Sequence, residues 1–467
     1  MAEVTRYFSK RALDVCRLLK VNPDDVLRNR QAIRRGMILV EEILDHTSMR
    51  PPLRHFQGIR RLSVLEVRSD VTMRPYQADA ATRAARRNGF IVAPCAAGKT
   101  MIGLLVAALN GGRVLILTSR YAEQWYETIT RMFHLLGNTT VALLTAVDAS
   151  HAIPHIVIGT YSSLASPSRS DRQRLVRLMP YETVILDEAH GAASPHNLMM
   201  FDRLNYRYII ALTATKVRED NELEKLESRI GSTVVDIDRN ALVACGFVAD
   251  IECIKLVVPR TQLEPALVKG IPSRVLMAID PTKMQLLKNM LTILSGENHR
   301  ILVFCDDLFC LKWSRSILNR SCPSIVGTIS MKTPEEERRR ILAAFSDPKV
   351  STTTLFISRT GDEALDLPTA SAAIVYCNNW GSRRQLVQRL GRLARVGGNK
   401  KKSLFAVLIV DDKKEHSITT HRETYAQEHG FSFSVCRHDD TRFAITPSAD
   451  TSRYVTALVE SWRAEHE

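Results

Sequence analysis

Residues 91–101 read "IVAPCAAGKTM". An apolar run ends in small residues, Gly98-Lys99-Thr100 follow, and "MIGLLVAAL" continues with helical character. That order predicts a buried strand, a tight loop and a helix. Such a loop aims several backbone N–H groups, and the positive end of the new helix, at phosphate oxygens. Lys99 is expected to reach the β- and γ-phosphates, and Thr100 to offer its hydroxyl to magnesium. Gly98 is the residue type that tolerates a positive φ or a close phosphate, and it stands immediately before Lys99. Ala93 occupies the place where a Walker A loop usually starts with glycine, with Ala96 and Ala97 inside the turn. Only a small side chain is needed at Ala93, so the physical basis of the loop survives.

Outward from this stretch, short apolar runs recur: "FIVAP", "RVLILTS", "HIVIGTY", "TVILDEAH" and "YIIALTAT". They predict strands buried on both faces of a parallel sheet, alternating with crossover helices. Each ends in small or polar residues, where ligand loops of such sheets belong. A second series begins near residue 300 with "RILVFCDD", "TTTLFISRTGDEALDLP", "AAIVYCNN" and "SLFAVLIV". The fold class is therefore α/β, with two tandem parallel-sheet lobes. The expected division is a small helical N-terminal domain (1–70), lobe one (71–220), an insertion or linker (221–290), lobe two (291–445) and a C-terminal tail (446–467). "NPDDV" marks a helix start in the first of these, with Asn22 as cap and Pro23 at the first helical position.

The second half of the phosphate site is "VILDEAH", residues 184–190. Asp187 ends an apolar strand and can hold magnesium directly or through water. Glu188 can polarise an attacking water. The chain lacks an HRD segment with a suitably spaced asparagine and lacks DFG, so a protein kinase is disfavoured. In "GSRRQLVQRLGRLAR", residues 381–395, a continuous helix would put Gln388, Arg392 and Arg395 on one face and Arg389 on another. Arg392 and Arg395 are expected to neutralise γ-phosphate charge during hydrolysis, with Gln388 positioning phosphate or water. Closure of two lobes around ATP and Mg2+, coupled to a strand lying across both, makes a motor.

Composition agrees with a polyanionic partner. The 467 residues carry a formal charge of +14, which informs binding rather than fold. No run of 18 apolar residues suggests a membrane span, and charges interrupt the apolar runs of the first twenty residues, unlike a signal peptide. Nine cysteines show no CxxC spacing, which disfavours structural zinc and suits a reducing intracellular compartment.

With these elements in order, the chain resembles superfamily 2 helicases, more specifically the XPB/Rad25-type DNA helicases and translocases, from about Arg74 to Gly430. The resemblance implies two RecA-like helicase lobes and a thumb-like insertion. It places "RPYQ" on the adenine side, with Arg74 and Gln77 as nucleotide contacts, and makes Ala93, Pro94, Cys95, Ala96, Ala97, Gly98, Lys99 and Thr100 the phosphate loop. "TSRYAEQW" is similar to a DNA-facing segment, with Trp125 as its marker, and "GTYSSLA" to a strand-contacting element that includes Thr160. His190, Thr213 and Thr215 fall in coupling elements. Arg218, Glu219 and Asp220 match an RED element associated with unwinding. Gly361 and Asp362 in "SRTGDEALDLP" fall at the second-lobe junction of strand and nucleotide, and "HRETYAQEHGFSF" resembles the tail of the core.

The implied activity is ATP-dependent DNA unwinding or duplex translocation by a monomeric motor, with familial 3′-to-5′ polarity, alongside transcription or repair proteins. An RNA helicase and a non-enzymatic nucleic-acid-binding scaffold are the alternatives. The compact length suits an archaeal or viral relative, acting in cytoplasm or virion, or a nuclear eukaryotic paralogue.

Overall fold

The computed structural model describes residues 64–466 except 120–121, 148–152, 166–175, 178, 195–196, 199–203, 215–221, 320–323, 348, 351–352, 359–366, 368, 378–382, 396–401, 438 and 446–451. The chain divides into two compact units, with the main boundary between Ile237 and Asp238.

The first unit runs β1 (Leu65–Val67), α1 (Pro75–Ala84), β2 (Gly89–Val92), α2 (Lys99–Asn110), β3 (Val114–Thr118), α3 (Ala122–Met132), β4 (Phe133–Leu135), β5 (Val141–Leu143), β6 (Ile156–Thr160), α4 (Tyr161–Ala165), β7 (Tyr181–Leu186), β8 (Tyr206–Thr213), α5 (Glu222–Ile230) and β9 (Thr233–Asp236). Seven strands make one sheet in the order β5-β6-β3-β7-β8-β2-β9, and every pairing in it is parallel. Successive side chains of a strand point to opposite faces, so β3 feeds two cores. Leu115 and Leu117 pack with Val184, Leu186 and Ile209, whereas Ile116 packs with Ile102, Ile185 and Ile210 on the face covered by α2. Continuous apolar runs are what a doubly covered sheet needs. Because the strands are parallel, the ends of β2, β7 and β8 open on one edge. The short β1 and β4 pair antiparallel outside the sheet.

The second unit runs α6 (Arg239–Ala244), β10 (Asp250–Val258), α7 (Ser273–Ala278), α8 (Pro281–Gly296), β11 (Ile301–Cys305), α9 (Leu308–Asn319), β12 (Ile325–Ile329), α10 (Glu335–Ser346), β13 (Thr354–Ser358), β14 (Ala372–Cys377), α11 (Arg383–Leu393), β15 (Lys402–Val410), α12 (Lys413–Glu428), β16 (Phe433–Arg437) and α13 (Ser452–His466). Its sheet, also parallel, has the order β12-β13-β11-β14-β15-β10-β16. Taken in chain order, the seven strands of each sheet occupy corresponding places. The two lobes are thus one topology used twice, with β10 standing where β2 stands in the first.

Residues 221–290, expected as an insertion or linker, contain strands of both sheets. β9 pairs with β2 at the edge of the first sheet, and β10 lies inside the second between β15 and β16. The charges of "DIECIKLVV" hide β10 from a hydrophobic reading. One of them, Lys255, is buried and donates to Glu423 of α12 at 2.6 Å. In the expected tail, α13 packs on the second core: Trp462 meets Phe309 edge-on with centroids 4.8 Å apart, and the Tyr454 hydroxyl donates to the Ile279 carbonyl at 2.7 Å. Of the expected domain 1–70, only residues from 64 lie among those described, and they supply β1. None of the described helices is long and apolar enough to cross a membrane, and the described cysteines form no disulfide.

Candidate nucleotide site

The loop expected to bind phosphate starts where β2 meets β8. Val92 stands in register with Thr213, and the Ala93 N–H continues the pairing by donating to the Thr213 carbonyl at 3.0 Å. Ala97 N–H then donates to the Pro94 carbonyl at 3.2 Å, closing a turn. Two residues of the loop take left-handed backbone, Ala96 with φ 66° and Gly98 with φ 78°. Gly98 caps α2, whose first turn holds no acidic residue. The positive φ favours glycine, and a Cβ on Gly98 would stand 2.4 Å from the Gln77 amide nitrogen and push that side chain aside. Gln77 is buried, and its other amide atom, Oε1, accepts from the Arg74 N–H at 3.1 Å. "RPYQ" thereby rests against the start of α2. Lys99 turns back over the loop, its Nζ donating to the Ala93 carbonyl at 3.3 Å.

Asp187 is held by groups from three other parts of the lobe. Its N–H donates to the Leu117 carbonyl at 2.8 Å, prolonging the pairing of β7 with β3. The Trp125 indole N–H donates to Oδ2 at 2.8 Å, the Glu188 N–H to Oδ1 at 3.0 Å, and the Tyr161 hydroxyl to the main-chain carbonyl at 2.7 Å. Burial, together with the adjacent Glu188 charge, pushes the Asp187 carboxyl up to about 6, against the opposing pull of Trp125 and Lys99. Glu188 is itself left-handed, φ 49°, where the chain turns from β7 into a short 3-10 turn, Ala189–Ala193.

The donor set fits a phosphate chain accompanied by a divalent cation. A loop with left-handed backbone at Gly98, the N–H groups at the start of α2 and an ammonium suit the anion. A buried carboxylate whose charge is costly where it stands suits the cation.

The remaining expected residues are distributed as follows. Trp125, expected in a DNA-facing segment, is 3% exposed and sits in the core under α2. Thr160 ends β6, and its hydroxyl accepts from the Ser163 N–H at 3.1 Å, capping α4. His190 lies in the 3-10 turn after Glu188, its side chain outside the described residues. Thr215, Arg218, Glu219, Asp220, Gly361 and Asp362 also lie outside them.

In the second unit, Gln388 is exposed and Arg392 is buried on α11. The helix stops at Leu393, so Arg395 follows its end rather than continuing its face. The Ala394 carbonyl beside it accepts from the N–H of Ala249, the residue before β10, at 2.9 Å. Burial holds the Arg395 guanidinium below its ordinary pKa.

Three residues escaped the sequence reading. Tyr161 stood inside a quoted motif without a role. Arg389 is buried, pairs with Asp306 at 2.7 Å and lies over the Phe304 ring. Asp306 comes directly after β11, 83 positions earlier in the chain, and no local pattern joins it to Arg389.

Comparison with known proteins agrees with this architecture. Residues 242–454 match the family model described as the ERCC3/RAD25/XPB C-terminal helicase, and residues 74–223 match the DEAD/DEAH box helicase model. The chain is 28% identical over 391 residues to the XPB helicase/translocase subunit of general transcription and DNA repair factor IIH from Danio rerio, covering 79% of this chain and 49% of that protein. The corresponding subunit of Enterocytozoon bieneusi is 30% identical over 373 residues, covering 75% and 60%. The chain spans about half the length of the curated relatives it matches.

Among solved structures, an ATP-dependent Type ISP restriction-modification enzyme, LlaBIII bound to DNA, superposes with TM-score 0.59 at 15% identity, covering 84% of this chain and 33% of that one. The Hef helicase domain of Pyrococcus furiosus gives 0.54 at 16%, covering 74% and 98%. Those structures share the fold. With homology at 28–30% identity over most of its length and a helicase family model matched in each lobe, the chain is a divergent homologue of the XPB/Rad25-type helicases.

Proposed function

We propose that this chain is an ATP-dependent DNA helicase or double-stranded DNA translocase, acting in transcription or repair. The reading is carried by one arrangement: left-handed Gly98 and a Lys99 turned back onto the Ala93 carbonyl, in the same unit as the tethered Asp187–Glu188 pair. The choice of DNA is supported by relatives whose names place them in general transcription and DNA repair.

In this reading the loop N–H groups and Lys99 bind the β- and γ-phosphates. Arg74 and Gln77 meet the adenine side. Thr100 and Asp187 would hold Mg2+, which supplies neutralisation of phosphate charge when bound. Glu188 orients and polarises the attacking water. Arg392 and Arg395 act as the fingers that favour the transition state, and Gln388 positions phosphate or water. Such a finger is worth about 10³–10⁵ in turnover. Trp125, Thr160, His190, Thr213, Thr215, the 218–220 RED segment, Gly361 and Asp362 link this cycle to the polymer.

DNA-stimulated ATP turnover, followed by unwinding and triplex-displacement assays, tests the proposal and separates strand separation from duplex translocation. Lys99→Ala is expected to abolish turnover while nucleic-acid binding persists. Unchanged turnover in that variant overturns the phosphate assignment. Stimulation by RNA and not by DNA makes the motor an RNA helicase.

A further inference from the structure

We propose that Trp125 and Tyr161 are positioning residues for Asp187, tying the two segments expected to face the polymer to the carboxylate expected to hold the metal. The inference rests on the nucleotide reading above and adds to it a physical link inside lobe one.

The link is a set of hydrogen bonds converging on one residue. Trp125 reaches Oδ2 from α3, and Tyr161 reaches the main-chain carbonyl from the start of α4. Both aromatic side chains are 3% exposed. With the Glu188 N–H on Oδ1 and the Asp187 N–H bound to Leu117, both carboxylate oxygens and both main-chain polar groups of Asp187 are engaged. A carboxylate so tethered has one orientation.

A buried indole N–H needs an acceptor, and any carbonyl would satisfy that need. Here it takes a carboxylate oxygen at 2.8 Å, the shorter, charge-assisted kind of bond. The same indole bears on α2. A Cβ added at Gly103 would come within 3.3 Å of its Cη2, so the ring is wedged between Asp187 and the helix that begins at Lys99.

Each aromatic also begins close to a strand end. Tyr161 directly follows Thr160, whose hydroxyl caps the same turn. α3 starts four residues after the last residue of β3. A shift of either helix therefore reaches Asp187 through one rigid side chain.

The test uses the full chain and two substitutions that each delete a single donor. Trp125→Phe keeps an aromatic ring without the N–H, and Tyr161→Phe keeps the ring without the hydroxyl. The readout is the Mg2+ concentration for half-maximal enhancement of fluorescent ADP binding, which needs no turnover. Loss of a partner that orients a metal ligand typically costs about 10–100-fold in metal affinity, so that concentration is expected to rise at least about tenfold in each variant, with metal-free ADP binding unchanged.

Ile129→Val, in the same helix and core, is the packing control: a lower melting temperature with an unshifted Mg2+ titration. Parent-like Mg2+ titrations for both Phe variants overturn the inference even if their melting temperatures fall. Should Trp125→Phe not fold, Tyr161→Phe decides alone. A parent protein that binds no ADP at any Mg2+ concentration removes the nucleotide reading and this inference together. A binding parent with indifferent variants removes only the inference.

Discussion

Ala96 has φ 66° inside the phosphate loop, in the left-handed region where a Cβ crowds the following carbonyl at about 1–2 kcal/mol per residue. Glycine removes that crowding, so Ala96→Gly is expected to stabilise the protein by about 1 kcal/mol. A urea midpoint that moves down rather than up contradicts this. At this scale the sequence is informative wherever one residue's own covalent form is the requirement. Gly98 could be assigned from "GKT" because few residues other than glycine accept its backbone angle. The partner of Trp125 could not be read in this way. Its indole N–H meets an oxygen 62 positions away, and nothing in "TSRYAEQW" encodes that acceptor. The burial of Trp125 was not legible either, because an aromatic on an amphipathic helix reads equally as core or as contact surface.

Helix α11 is anchored by one buried ion pair. Arg389 and Asp306 are each about 1% exposed or less at 2.7 Å, and the guanidinium stacks 4.5 Å above the Phe304 ring centroid. Truncating one partner leaves the other charge buried, which costs about 3–5 kcal/mol. Arg389→Ala is expected to destabilise by that amount in denaturant unfolding. The double change Arg389→Met, Asp306→Leu is expected to recover most of it, since apolar replacements of similar volume often match a buried pair. A double variant as unstable as the sum of its single changes refutes the coupling. Arg389 precedes Arg392 by three positions on this helix, so the anchor sets the rotation that presents Arg392. Strands were legible where their runs are continuous and apolar, as in "SLFAVLIV", which β15 buries throughout. β10 was not, because Asp250, Glu252 and Lys255 break its pattern, and the charge of Lys255 is met by Glu423, 168 positions away. β12 and β16 are short and carry exposed or half-exposed positions, so their apolar signal is weak.

Across the whole molecule, the +14 charge bears on how the proposed polymer is held. If six to ten phosphates are contacted, DNA affinity is expected to fall about 10³-fold or more between about 50 and 200 mM salt. A change of under tenfold in a filter-binding titration excludes a grip dominated by phosphates. The sequence by itself determined that the chain makes two parallel α/β lobes and that the first carries the GKT and DEAH stretches at strand ends. Apolar period, small residues at strand ends and the GKT and DEAH stretches are local properties, and local chemistry suffices to express them. Only the tertiary structure decided the strand order, its recurrence in both lobes, the membership of β9 and β10, and the tethering of Asp187 by Trp125 and Tyr161. Those depend on which surfaces meet after crossover helices pack, and on buried charges and donors finding partners far along the chain.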